Sequence, residues 1–218
     1  MSGEIMNGAL IGAELALPAW YGKLPGAGDF VGRRMQGALA RTWEQWLSQG
    51  MAAGRATLDA HARLWSFAIP AGSGEGWVQL GCVAPSRDRV GRRYPLVVAQ
   101  AFAPQRYVRG SGQGARADLC IRLMGAIVRD AIRGALGPED FDLALAQGLR
   151  DEAAPIGGDA PGIEGGWPNL WEYFDPHGMT SFWWTDAGAG APRTDVHTGG
   201  LDAALFQRLF GEPQGGPA

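Results

Sequence analysis

Residues 63–102 read Arg63-Leu-Trp-Ser-Phe-Ala-Ile-Pro70, then Ala71-Gly-Ser-Gly-Glu-Gly76, then Trp77-Val-Gln-Leu-Gly-Cys-Val-Ala-Pro85, then Ser86-Arg-Asp-Arg-Val-Gly-Arg-Arg93, then Tyr94-Pro-Leu-Val-Val-Ala-Gln-Ala-Phe102. Three short apolar runs alternate with two turn-forming stretches. Runs of this length, rich in β-branched and aromatic residues and bounded by Gly, Pro, Ser and Asp, predict strands. Close succession predicts hairpins or a meander. Pro95 lacks an amide hydrogen and belongs at the start of its strand or on an edge.

Working outward, Ala19–Leu24 predicts a short strand ending at Pro25, followed by the turn Gly26-Ala27-Gly28-Asp29. From Met35 to Leu58 the apolar residues Met35, Leu39, Trp43, Trp46, Leu47, Met51 and Leu58 fall on one helical face. Residues 116–136 predict a second helix, apolar over two-thirds of its circumference and therefore well buried. Pro138-Glu139-Asp140 opens a third, since proline suits the first helical position and acidic residues suit the N-terminal dipole; Phe141, Leu145 and Leu149 form its stripe. Residues 151–179 hold Trp167, Trp171, Tyr173 and Phe174, more aromatics than a disordered linker carries. They predict a long loop packed on the domain, with one helical turn. Thr180–Thr185 is apolar on both faces, as an interior strand would be, and Trp183 and Trp184 there face opposite layers. Asp202–Phe210 predicts a closing helix. The expectation is one α/β domain over residues 19–211, a three-layer sandwich with helices on both faces of a mixed sheet. Residues 1–18 are read as an N-terminal extension and 212–218 as a flexible tail.

Composition narrows the function. The chain has 218 residues, a net charge of −3, and 35 Gly with 14 Pro. Hydrophobic residues make up 46%, with nine Trp, which argues for a packed core. Scaling relations bury about 70% of the unfolded surface of such a chain without metals or disulfides. No run reaches the roughly 18 apolar residues of a membrane span. The first 18 residues contain Glu4 and Glu14 but no Lys or Arg, unlike a secretory leader. Cys82 and Cys120 lie among apolar residues and are expected to be buried free thiols. A cytoplasmic location is expected.

The charges are segregated. Residues 1–136 carry 16 Lys or Arg and 9 Asp or Glu; residues 137–218 carry 3 Arg and 13 Asp or Glu. Either the basic half meets an acidic partner, or the halves attract each other within one fold. Among the basic residues eighteen are Arg and one, Lys23, is Lys. A GC-rich genome accounts for the Arg bias, and the one exception raises the question whether an ammonium rather than a guanidinium is required there.

Catalytic signatures are sparse. His61, His177 and His197 show no metal-binding spacing; Asp186, Asp195, His177 and His197 remain a conceivable site only if the fold gathers them. No Gly-x-Ser-x-Gly elbow is present, and Ser86 has no nearby histidine. Gly22-Lys23 lacks the following Ser or Thr of a phosphate loop. No enzyme, metal or cofactor is expected. The run Ser86–Arg93 is either a solvated turn with Asp88 paired locally or a contact for an acidic or phosphorylated partner. Nucleic acid is not expected at a pI of about 5.6.

Four blocks together carry a resemblance. Trp20-Tyr-Gly-Lys-Leu-Pro-Gly-Ala-Gly-Asp-Phe-Val-Gly-Arg-Arg34 resembles the opening signature of the type VI secretion-associated TagF/ImpM family. Trp43 and Trp46 resemble its W-x-x-W helix, Leu64-Trp-Ser-Phe-Ala-Ile69 followed by Gly81-Cys-Val-Ala-Pro-Ser-Arg-Asp-Arg-Val-Gly-Arg-Arg-Tyr-Pro-Leu96 its later block, and Ser181-Phe-Trp-Trp184 its late strand. The resemblance implies a three-layer α/β sandwich without established enzymatic activity. It also implies a post-translational repressor of secretion acting through a cytoplasmic FHA-domain scaffold protein. The motif positions are Gly22, Lys23, Pro25, Gly28, Asp29 and Phe30; Ser86, Asp88, Gly91, Arg92, Tyr94 and Pro95; and Ser181, Trp183 and Trp184. Lys23, Asp29, Asp88 and Arg92 are expected to form one polar cluster, either a structural ion network or a binding rim. A structural assembly factor and a ligand-binding or enzymatic domain using these loops are the alternative functions.

Overall fold

In the computed structural model, residues 17–53, 58, 63–107, 113–151, 167, 169–186 and 191–211 are described. The N-terminal extension up to residue 16, His61, most of the 151–179 loop and the tail from 212 lie outside them.

The three runs that opened the sequence become adjacent antiparallel strands: β3 (Trp65–Ile69), β4 (Val78–Ala84) and β5 (Leu96–Phe102). Strand β1 (Ala19–Gly22) pairs with β5, and β2 (Val31–Arg33) pairs with β1. Strand β6 (Thr180–Trp184) joins the other side of β3, and β7 (Thr194–Thr198) closes that edge. The order is β2-β1-β5-β4-β3-β6-β7. The α/β class holds, but every ladder is antiparallel where a mixed sheet was expected. The connections explain this. Hairpin-length links join β1 to β2, β3 to β4, β4 to β5 and β6 to β7, shorter than the helical crossover a parallel neighbour needs.

Each face of the sheet has its own core. On one face α2 (Gln113–Arg133) and α3 (Pro138–Asp151) bury Ile121, Met124, Val128, Phe141 and Leu145 against Leu80, Cys82, Val98 and Trp184. On the other, α1 (Gly37–Ala52) and α5 (Ala203–Phe210) bury Trp43, Trp46, Leu47, Phe206 and Phe210 against Trp65, Phe67, Val97 and Trp183. The single-turn helix α4 (Leu170–Tyr173) packs Leu170 into the first core. Trp183 and Trp184 thus enter opposite layers, as strand alternation requires. One row across the sheet runs Trp183, Phe67, Gly81, Ala99, Ala19. Trp43 packs on Phe67 of this row, ring centroids 5.2 Å apart, and its Nε1 donates to the buried Gln79 Oε1 at 2.8 Å.

Part of the charge segregation is used within the fold. Arg33 pairs with Glu139, Arg34 with Asp142 and Arg129 with Asp186, each joining the basic half to the acidic half. Both cysteines are buried and free, and burial pushes the Cys82 thiol up to about 12. Among the described residues, no helix is long and apolar enough to cross a membrane.

Candidate functional site

Strands β1 and β4 both run antiparallel to β5, so they are parallel to each other and end at the same rim. The segments leaving them, residues 23–30 and 85–94, therefore meet. At Gly22 φ is +141°, and an added Cβ would stand 2.1 Å from the Pro95 carbonyl oxygen. Only glycine lets β1 pass the start of β5 this closely.

Asp88 is the centre of the rim. Its side chain is fully buried. Oδ2 accepts from Lys23 Nζ at 2.9 Å and from Arg92 Nε at 2.7 Å. Oδ1 accepts from the backbone amides of Val90 at 3.1 Å and Arg92 at 2.9 Å. Burial alone would raise this carboxyl. The hydrogen bonds from Lys23 and Arg92, with the Arg92 charge, outweigh burial and hold it well below the usual carboxylate range. These bonds also fold the turn, which needs φ +91° at Gly91.

Lys23 is 5% exposed. Its Nζ lies between Asp88 and the Phe30 ring, 4.9 Å from the ring centroid, a favourable cation–π position. The Lys23 backbone carbonyl accepts from Ser86 Oγ at 2.6 Å, the Ala27 carbonyl from the Arg89 amide at 2.7 Å, and the Gly28 carbonyl from the Arg92 guanidinium at 2.8 Å. Asp29 joins more loosely: it caps the Phe30 amide at 2.9 Å and stands 3.7 Å from Arg92, both side chains exposed. Exposed pairs of this kind contribute little.

An aromatic group borders the polar cluster. Phe30 stacks on Tyr21 at 5.9 Å and meets Tyr94 edge-on at 4.7 Å. Tyr94 shares a hydrogen bond with Ser48 Oγ at 3.0 Å, tying the rim to α1. Burial raises the pKa of both tyrosines, so they stay neutral.

The rim brings together Gly22, Lys23, Pro25, Gly28, Asp29, Phe30, Ser86, Asp88, Gly91, Arg92 and Tyr94. It does not include Trp183 and Trp184. β6 lies four strands from β1, about 19 Å at the usual strand spacing, and both indoles are buried in the cores. Their place in the motif follows from packing. Arg87 and Arg93, in the cationic run Ser86–Arg93, flank the rim, and Tyr21 joins it through Phe30; Tyr21 carried no signal of its own, since an aromatic beside a motif looks alike in sequence whether core or surface. The other candidate grouping is dispersed. Asp186 pairs with Arg129, while Asp195 and His197 contact Arg208. Among the described residues, no group of three His, Cys, Asp or Glu could hold a metal.

Comparison with known proteins supplies the family. Residues 19–147 match the model of the TagF N-terminal domain, type VI secretion system-associated. The crystal structure of PA0076 from Pseudomonas aeruginosa PAO1 is similar, with 27% identity and a TM-score of 0.63 over 92% of this chain and 97% of that one. No curated protein matches. The matched span contains both loops of the rim and the Trp43–Trp46 helix, and the chain belongs to the TagF N-terminal domain family associated with type VI secretion.

Proposed function

We propose that this protein restrains type VI secretion after translation, by binding a cytoplasmic FHA-domain scaffold protein of the machine. The family match over residues 19–147 carries the reading. The rim supports a binding role over a catalytic one. Its acidic centre is buried and saturated by four donors, so Asp88 offers no free lone pair for proton transfer. What faces outward is a set of arginine side chains beside the partly exposed Phe30 ring, suited to contact with a protein.

The test pairs a pull-down of the FHA-domain scaffold on the purified chain with secretion measured after gene deletion. A complex together with increased secretion is expected. No complex with unchanged secretion contradicts the proposal, and a deletion that abolishes secretion makes the protein an assembly factor instead.

A further inference from the structure

The turn after β4 holds four arginines, of which Asp88 engages one. Arg87, Arg89 and Arg93 are exposed, and among the described residues no carboxylate lies within ion-pair distance of them. Two are placed in conflict. Arg87 and Arg93 form an antiparallel bridge. Tyr94 donates its amide to the Ser86 carbonyl and Asp88 its amide to the Arg92 carbonyl, which makes Arg87 and Arg93 a non-hydrogen-bonded pair. Such partners stand about 4.5 Å apart at Cα with side chains on the same face. Like charges directly opposite destabilise a ladder. The buried Lys23–Asp88 pair and the Asp88-capped turn hold this repulsive arrangement in place. At the tip, Val90 is 69% exposed; across the rim, Phe30 is 45% exposed.

We propose that this turn is a docking surface for a carboxylate-rich segment of a protein partner. Guanidiniums carried side by side on opposed backbone positions can bind carboxylates in bidentate fashion. An incoming acidic group relieves the Arg87–Arg93 repulsion. Val90 and Phe30 supply the apolar contact beside the charges. The Asp88 hydrogen bonds already hold the turn's backbone, so binding orders the arginine side chains but not the loop. This inference rests on the reading of the protein as a binding regulator and names the surface it uses.

The test places the photo-crosslinker p-benzoylphenylalanine at Val90 in the full chain, in its native cell, with the same group at exposed Leu143 on α3 as control. The expected product joins Val90 to a segment of another protein in which Asp and Glu outnumber Lys and Arg. It is absent at Leu143. It falls about tenfold when Arg87→Gln, Arg89→Gln and Arg93→Gln are combined, while that variant melts no lower than the parent. Several results overturn the proposal: no Val90 product, a product with a non-acidic segment or a second copy of the chain, a product that survives the triple variant, or a triple variant that melts lower, which would give the arginines a purely structural role. An acidic partner other than the FHA-domain scaffold leaves this surface standing and removes the proposed scaffold. Secretion that rises on deletion without a Val90 product does the reverse.

Discussion

Lys23 shows why one basic residue in this arginine-rich chain is a lysine. Its ammonium fits between the Asp88 carboxylate and the Phe30 ring, with 5% of the residue exposed. A guanidinium is broader and planar, so Lys23→Arg should be destabilising despite keeping the charge. Lys23→Ala leaves a buried carboxylate with one cation fewer. Breaking a buried pair costs about 3 kcal/mol even at the lower end, or about 6–12 °C of melting temperature at this chain length. Differential scanning calorimetry of both variants checks this. The pH dependence follows from Asp88. Its pKa is depressed in the fold, so its stabilisation is present above the unfolded value of about 3.9 and is lost as pH falls from there through the folded value. Asp142, held down by its Arg34 hydrogen bonds, acts in the same direction. Chemical denaturation from pH 6 downward should show stability falling below about pH 4, with a shallower fall in Asp88→Asn.

Among the elements, the helices on the two faces are matched by close packing that sequence reveals only in part. By helix propensity alone, Gly50 weakens the last turns of α1. In the fold, a Cβ there would lie 2.3 Å from the Phe206 ring of α5. Ala is favoured over Gly in a helix by about 1 kcal/mol, but overpacking a buried contact costs about 1–3 kcal/mol. Gly50→Ala should therefore destabilise the protein, by thermal melting, although helix propensity alone predicts the opposite. The strands of residues 63–102, the faces of α1 and α3 and the alternation at Trp183 and Trp184 were legible because their apolar periodicities were long or bounded by turns. β2 and β7 were not. β2 has three residues and no large apolar side chain. β7 reads Thr-Asp-Val-His-Thr and keeps four of its five side chains at least partly exposed on the sheet edge, so neither presents an apolar run. The rim was legible as two motifs whose charged residues were expected to form one cluster; the strand order supplies the physical reason, bringing Lys23 to Asp88 across 65 positions in sequence.

For the whole molecule, the division of charge has two uses. Three pairs, Arg33–Glu139, Arg34–Asp142 and Arg129–Asp186, hold the basic half of the chain against the acidic half. Arg87, Arg89 and Arg93, with no carboxylate within ion-pair distance among the described residues, share the turn at residues 87–93. A protein with net charge −3 thus keeps a local cationic surface on a rigid support, a form suited to steering an acidic partner. The central claim is that this support restrains secretion by binding. Its most direct measure is the amount of type VI effector released by a deletion strain carrying either the wild-type gene or the Arg87→Gln, Arg89→Gln, Arg93→Gln variant at equal protein levels. The account predicts raised secretion in the deletion, return to the parental level with the wild-type gene, and no return with the variant; full repression by the variant, or loss of secretion in the deletion, would contradict it.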